Sequence, residues 1–326
     1  MNSLYPLKFK PIFKDKIWGG QKIKTHLGLD FSPLPNCGEA WMISGIKEDQ
    51  SVVENGFLAG NELNELLEIY MGDLVGEKVY ETYGNEFPVL IKFLNSTDYL
   101  SVQVHPDNEM ALKRHQCLGK SEMWYINQAD ENAVLVSGFN QKMNKELYSE
   151  HVKNNSIKKI LNNVHAKSGD VYFIPAGQIH SLGPGLLLTE IQQTSDITYR
   201  IYDWDRNGDD GKPRELHVNQ ALDALDFNFV QDVKTHYQSV MNKSVALVKC
   251  PYFTTNILHL DKKTERDYQK TDSFVIYICE EGSFELDYQE GKMQINKSDC
   301  ILLPSVFELV KLNPLNKAKI LEVYID

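Results

Sequence analysis

The eight residues Phe87-Pro88-Val89-Leu90-Ile91-Lys92-Phe93-Leu94 are apolar but for Pro88 and one lysine. A run this short, closed by the turn residues Asn95-Ser96-Thr97-Asp98, reads as a buried strand. Just beyond it comes Ser101-Val102-Gln103-Val104-His105-Pro106-Asp107. Side chains on a strand alternate faces, so Ser101, Gln103 and His105 share one face and Val102 and Val104 the other. Pro106 lacks the N–H a ladder needs and ends the strand there. Two metal-capable groups therefore sit on one face at the end of an otherwise apolar sheet.

The rest of the chain repeats this strand-and-turn grammar. Strands are expected around Gly38–Gly45, from Gly119 through Ile126, and over Gly169–His180 and Leu186–Gln192. Helical spacing of Leu63, Leu66, Leu67, Tyr70 and Leu74 predicts a helix capped by Asn61. Asn108 is placed to cap a short helix from Glu109 to Cys117. A helical pair broken at Asn154-Asn155-Ser156 is expected over 143–162, and a further helix over Leu216 to Leu225. An Asp- and Gly-rich loop, Asp203 to Pro213, precedes it. From about Val245 the pattern is strand and turn only. There Lys297-Ser298-Asp299-Cys300-Ile301-Leu302-Leu303-Pro304 repeats the shape of Gly169-Asp170-Val171-Tyr172-Phe173-Ile174-Pro175, without a histidine matching His180. This reads as an internal duplication of a small β-barrel, with metal chemistry kept in the first copy.

The length of 326 residues suits about two domains. A net charge of −11 argues against a general nucleic-acid surface. An anionic small substrate would need a local cluster of basic residues. The five cysteines are scattered without CxxC spacing and read as thiols of a reducing compartment. With no secretion pattern at Met1-Asn2-Ser3 and no apolar run of membrane-spanning length, a cytoplasmic protein is expected.

Four candidate ligands stand out: Gln103, His105, Glu122 and His180. Converging on a barrel interior they would suit Zn²⁺, with Mn²⁺, Co²⁺ or Fe²⁺ as rivals. Against this stand the bland alternatives: core or surface histidines, and Glu122 paired with Lys120.

The motifs Trp18-Gly19-Gly20, Gly38 to Ser44, Leu100 to Asp107, Gly119-Lys120-Ser121-Glu122-Met123, Pro175-Ala176-Gly177 to His180, and Glu190 through Asp196 to Arg200 together resemble class I mannose-6-phosphate isomerases of the cupin superfamily. The resemblance runs along essentially the whole chain. It implies a mainly β fold of two cupin-like β-barrels (jelly rolls) with inserted α-helices. Residues 1–240 would form the catalytic cupin domain, with helical insertions near 61–83, 108–118, 143–162 and 215–226, and 241–326 a second one lacking ligands. It implies one Zn²⁺ on Gln103, His105, Glu122 and His180, and a catalytic Arg200. Ser101, Lys120 and Arg206 would contact the substrate phosphate, Arg206 standing where relatives carry lysine. Glu190 and Asp196 would orient substrate or join proton transfer, and Lys120, Glu190 and a metal-bound water remain open as the base. Leu182 departs from an aromatic residue of some relatives. The implied activity interconverts mannose 6-phosphate and fructose 6-phosphate through a cis-enediolate, in a monomer or homodimer binding neither nucleic acid nor membrane. Another metal-cupin reaction, or a non-catalytic sugar-phosphate sensor, are the alternatives.

Overall fold

The computed structural model describes residues 4–208, 211–289 and 291–326. Met1-Asn2-Ser3, and positions 209 and 210 of the Asp203–Pro213 loop, lie outside the described residues. Three antiparallel sheets dominate. The central seven-stranded sheet runs Lys234–Thr235, Val171–Ile174, Glu122–Ala129, Leu186–Gln193, Val89–Ser96, Glu39–Ile43, Ile12–Lys14. A five-stranded sheet, in the order Tyr199–Tyr202, Val102–Val104, His180–Leu182, Val134–Phe139, Leu161–His165, closes the first barrel. The eight-stranded C-terminal sheet also recruits the N-terminal strand Leu7–Lys8, which pairs with Cys300–Leu303.

The central sheet is covered on both faces, which explains why 87–94 does not alternate. Val89, Ile91 and Phe93 pack with Met123, Tyr125, Leu187 and Ile191 into the large core shared with the C-terminal sheet. Leu94, Trp124, Ile126, Leu186 and Leu188 face the barrel interior with Leu135, Tyr172 and Leu182. The substituted position Leu182 thus serves this core. Val102 and Val104 point out of the barrel, into a third cluster with Tyr148, Ile157, Ile160, Tyr199 and Ala221 under the helical segments. The opposite face of that strand carries the polar row.

The helices fall near the expected places, with two corrections at their starts. Glu62, not Asn61, is the N-cap of Leu63–Val75, in a capping box with Glu65. Asn61 instead bonds back to the Leu58 carbonyl. Asp107, not Asn108, caps Asn108–His115 by accepting the Met110 N–H. The Asn108 carbonyl oxygen is engaged by Gly119 N–H and the Gln193 amide, pinning the entry to the Glu122 strand. The pair over 143–162 is an α-helix, Lys145–Lys153, then a 3₁₀ turn, Ile157–Ile160, with Asn155 at a positive φ of 51° between them. The last helix is Val218–Ala224.

The duplication is visible bond for bond. Gly169 N–H reaches Ile126 O at 2.8 Å, Asp170 N–H reaches Lys167 O at 3.0 Å, and Ile126 N–H reaches Asp170 O at 2.9 Å. In the later copy Ser298 reaches Cys279 at 2.7 Å, Asp299 reaches Asn296 at 3.0 Å, and Cys279 reaches Asp299 at 3.0 Å. The register then matches Glu122 opposite Ile174 with Val275 opposite Leu303, and Trp124 opposite Glu190 with Tyr277 opposite Glu322.

Candidate active site

His105, Glu122 and His180 come from three strands or strand ends, yet their donor atoms lie within 4.8 Å of one another. All three side chains are at most 1% exposed. The second bond of each imidazole fixes its tautomer. His105 Nδ1–H donates to Ile197 O at 2.8 Å, and His180 Nδ1–H to Gln178 O at 2.9 Å. Both Nε2 lone pairs are thereby aimed at Glu122, at 3.5 and 3.4 Å from its oxygens. Burial, then the nearby Lys120 ammonium and His180, pushes the His105 pKa well below the usual imidazole range. Burial first, with Lys120 adding to it, lowers His180 to about 4. At neutral pH both are uncharged donors.

Gln103 sits opposite His180 in the ladder, and its amide nitrogen is 3.2 Å from His180 Nε2. Its oxygen accepts from the Ser101 hydroxyl at 3.3 Å, so the polar row Ser101, Gln103, His105 is continuous. The Lys120 ammonium lies between Glu122 Oε2 and His105 Nε2, 3.1 Å from the latter. The alternative pairing of Lys120 with Glu122 is real, but buried rather than on a surface. Glu122 Oε1 has no hydrogen-bond partner although it is fully buried. A carboxylate oxygen left bare beside two neutral imidazole nitrogens is a donor set for a cation.

Gln103 and Lys120, the cluster's direct neighbours, form part of the wall of a cavity of about 480 Å³. Ser101, Gln103, Lys120, Glu190, Asp196, Thr198 and Arg200 all line it. Glu190 accepts from Trp124 Nε1 at 3.0 Å and pairs with Lys92 at 3.2 Å. Arg200 donates to Glu215 O at 2.8 Å while its buried Nε has no partner. The backbone N–H of Arg200 is held by His217 Nδ1 at 3.1 Å.

Arg206, expected at the phosphate, is not brought to the cavity. Its guanidinium is held by Asp203 at 3.1 Å and by Asp98 at 3.1 Å. In its place Arg214 stands on the wall. Also missed were Lys14, Lys16, Glu39, Trp41, Asp49 and Lys92, which build the opposite wall. Lys92 did leave a signal, as the lone charge in the 87–94 run. Burial works against its charge, but Glu190, Glu39 and Glu122 outweigh it, so its pKa is raised. Glu39 is opposed by burial in the same way and is lowered by Lys92 and Lys16. The local basic cluster that an acidic protein needs for an anionic substrate is present.

Residues 6–142 match the model of the phosphomannose isomerase type I catalytic domain. The mannose-6-phosphate isomerase of Streptococcus mutans is 32% identical over 308 residues, 93% of each chain. That of Bacillus subtilis is 34% identical over 302 residues, 92% of this chain and 93% of its own. The chain belongs to the type I phosphomannose isomerase family. It is an enzyme of the aldose–ketose isomerase class. The crystal structure of the B. subtilis mannose 6-phosphate isomerase matches it with a TM-score of 0.89 at 30% identity, over 99% of this chain and 100% of the other. Mutant forms of the Salmonella typhimurium phosphomannose isomerase share the fold, one with a TM-score of 0.79 at 14% identity over 98% of this chain and 99% of that one. The fold is the mainly β cupin architecture of these isomerases.

Proposed function

We propose that this isomerase interconverts mannose 6-phosphate and fructose 6-phosphate through a cis-enediolate, with Zn²⁺ held by Gln103, His105, Glu122 and His180. The observation that carries this reading is the buried His–Glu–His set, with its bare carboxylate oxygen, lying directly behind Gln103 and Lys120 in the wall of a cavity rich in lysines and arginines. The donor set fits the ion: two neutral nitrogens, one carboxylate, and an amide whose oxygen and nitrogen exchange by rotation about one bond. When bound, Zn²⁺ would supply Lewis-acid polarisation of the substrate oxygens.

The chain's own residues do the rest. Lys120 and Glu190 are the cavity groups that take a proton from one sugar carbon and return it to the next. The Arg200 guanidinium, with its free Nε, stabilises negative charge as it develops on the substrate oxygens. Ser101 contributes to holding the phosphate, and Asp196 orients the sugar hydroxyls. Gripping the phosphate far from C1 and C2 fixes the reacting carbons in place. We also propose the division at about residue 240, with the C-terminal sheet serving as the packing partner that buries the back of the catalytic sheet. The shared apolar core supports it.

Metal analysis of the purified protein, with an assay coupled to fructose 6-phosphate formation before and after chelation, tests the reading. Loss of turnover with the chelator and recovery with Zn²⁺ is expected. Full activity in metal-free protein overturns it.

A further inference from the structure

The geometry points to Arg214 as the arginine that recognises the substrate's phosphate group, with Asp203 as its positioning residue and Arg206 as a structural brace. The inference rests on the functional reading above and moves a role expected of Arg206 to the residue just past the Asp203–Pro213 loop.

A guanidinium has two donor edges, and what each edge meets decides what it can bind. Arg206 has spent both. Its Nε and Nη2 reach Asp203 Oδ1 at 3.3 and 3.1 Å, and its Nη1 reaches Asp98 Oδ2 at 3.1 Å. Arg214 has spent one. Its Nε donates to Asp203 Oδ2 at 2.7 Å and its Nη2 to Asp203 Oδ1 at 2.5 Å. That leaves Nη1 and the outer hydrogen of Nη2 without a protein acceptor among the described residues, on a side chain that lines the cavity. Asp203, itself only 6% exposed, locks the fork in one orientation, so little rotamer freedom is left to lose on binding.

Arg214 also shares the cavity with Arg200, whose buried Nε is unpartnered. Burial first and then the charge of Arg214 lowers the Arg200 pKa, against which Asp203 and Glu215 work, so the two guanidiniums lie within electrostatic reach of each other. A fixed fork with one free edge on the cavity wall fits a dianionic phosphate monoester, and Arg200 stays available for the reacting end of the substrate.

Steady-state kinetics of the metal-loaded enzyme and titration calorimetry with inorganic phosphate test this on R214A, R214K and R206A. R214A should raise KM for mannose 6-phosphate about 10- to 100-fold with kcat within about threefold, and weaken inorganic phosphate binding by a similar factor. R214K, which keeps the charge but not the fork, should fall between, and it stands in if R214A does not fold. R206A should leave both quantities within about threefold. A variant of Arg214 with unchanged phosphate affinity overturns the assignment, as does R206A matching or exceeding it. A wild-type enzyme that binds phosphate through Arg214 but does not turn over mannose 6-phosphate would instead defeat the functional reading alone.

Discussion

The two barrels carry the same turn and the same hairpin, and they treat a buried carboxylate in opposite ways. In the first, Glu122 faces two neutral imidazoles and keeps one oxygen bare. In the second, Val275 stands at the position of Glu122, and the buried carboxylate is Glu322, the counterpart of Glu190. Glu322 is saturated. Arg266 donates to it twice, at 2.8 and 2.9 Å, joined by Tyr268, Asn256 at 2.9 Å and Ser244 at 3.1 Å. Leaving a buried charged acceptor unsatisfied costs about 1–3 kcal/mol or more, which folding alone does not repay. On the proposed function the bare oxygen belongs to a site that takes a ligand, and the saturated one to a site that holds a wall together.

The sharpest way to break that contrast is to treat both as ligand-binding or both as structural. H105A and E122Q should each lose bound metal and reduce turnover by more than about 10³-fold, with the fold intact by circular dichroism. Either variant retaining both would reduce the first barrel to the status of the second. In the C-terminal barrel, R266A should cost about 3–5 kcal/mol of stability in denaturant melts, because it strands Glu322 in the core. Turnover per folded molecule should hardly change. Replacing both partners at once, R266M with E322L, should recover most of that loss. A large activity defect in the folded double variant would mean that the second barrel does more than pack.

Between the barrels lies a carboxylate of intermediate character. Glu280 of the C-terminal sheet accepts from Thr189 at 2.7 Å and from Asn127, both on the back of the catalytic sheet. Burial raises its pKa to about 7, against which the hydrogen bond from Thr189 works. The folded state therefore holds this proton between about 4.5 and 7, where the unfolded chain has released it. Stability from this group is then full below about pH 4.5, declines as pH rises to about 7, and is flat above. The span amounts to about 3 kcal/mol. E280Q should remove that slope from melts taken between pH 5 and 8, with its largest relative gain at the alkaline end. An unaltered slope would show that Glu280 keeps its charge in the interface.

What could be read in advance divides along the same lines. The period-2 row of Ser101, Gln103 and His105 was legible because strand alternation is local, and so was the duplicated turn. Glu122 and His180 needed only the idea that strand ends converge. Arg206 was misplaced because its direction is set by Asp98, distant in the chain, and by competition with Arg214 for Asp203. Lys14, Lys16 and Trp41 were invisible for a similar reason: they reach the cavity only because the Ile12–Lys14 and Glu39–Ile43 strands extend the central sheet. The helix starts slipped by one residue because Asn61, Glu62, Asp107 and Asn108 can all cap: Asn61 is drawn off by the nearby Leu58 carbonyl, and Asn108 by Gly119 and Gln193.

The smallest test concerns the turn itself. Gly169 adopts φ +85° in the first copy, and the equivalent Ser298 is held at φ 72° in the second. A left-handed backbone costs a residue with a side chain about 1–2 kcal/mol relative to glycine. The buried Ser298 hydroxyl also has no partner. Glycine there gives back about 0.5–1 kcal/mol through the greater freedom of the unfolded chain. S298G should therefore stabilise by no more than about 1 kcal/mol. G169A, with only the Tyr237 hydroxyl 3.7 Å from a new Cβ, meets no clash; strain of about 1–2 kcal/mol, offset by about 0.5–1 kcal/mol from the stiffer unfolded chain, should leave a net loss of no more than about 1 kcal/mol. Opposite signs at the two positions would confirm that both copies are built on one left-handed residue. Loss of stability in S298G would mean that the serine side chain, not the backbone, holds the second turn.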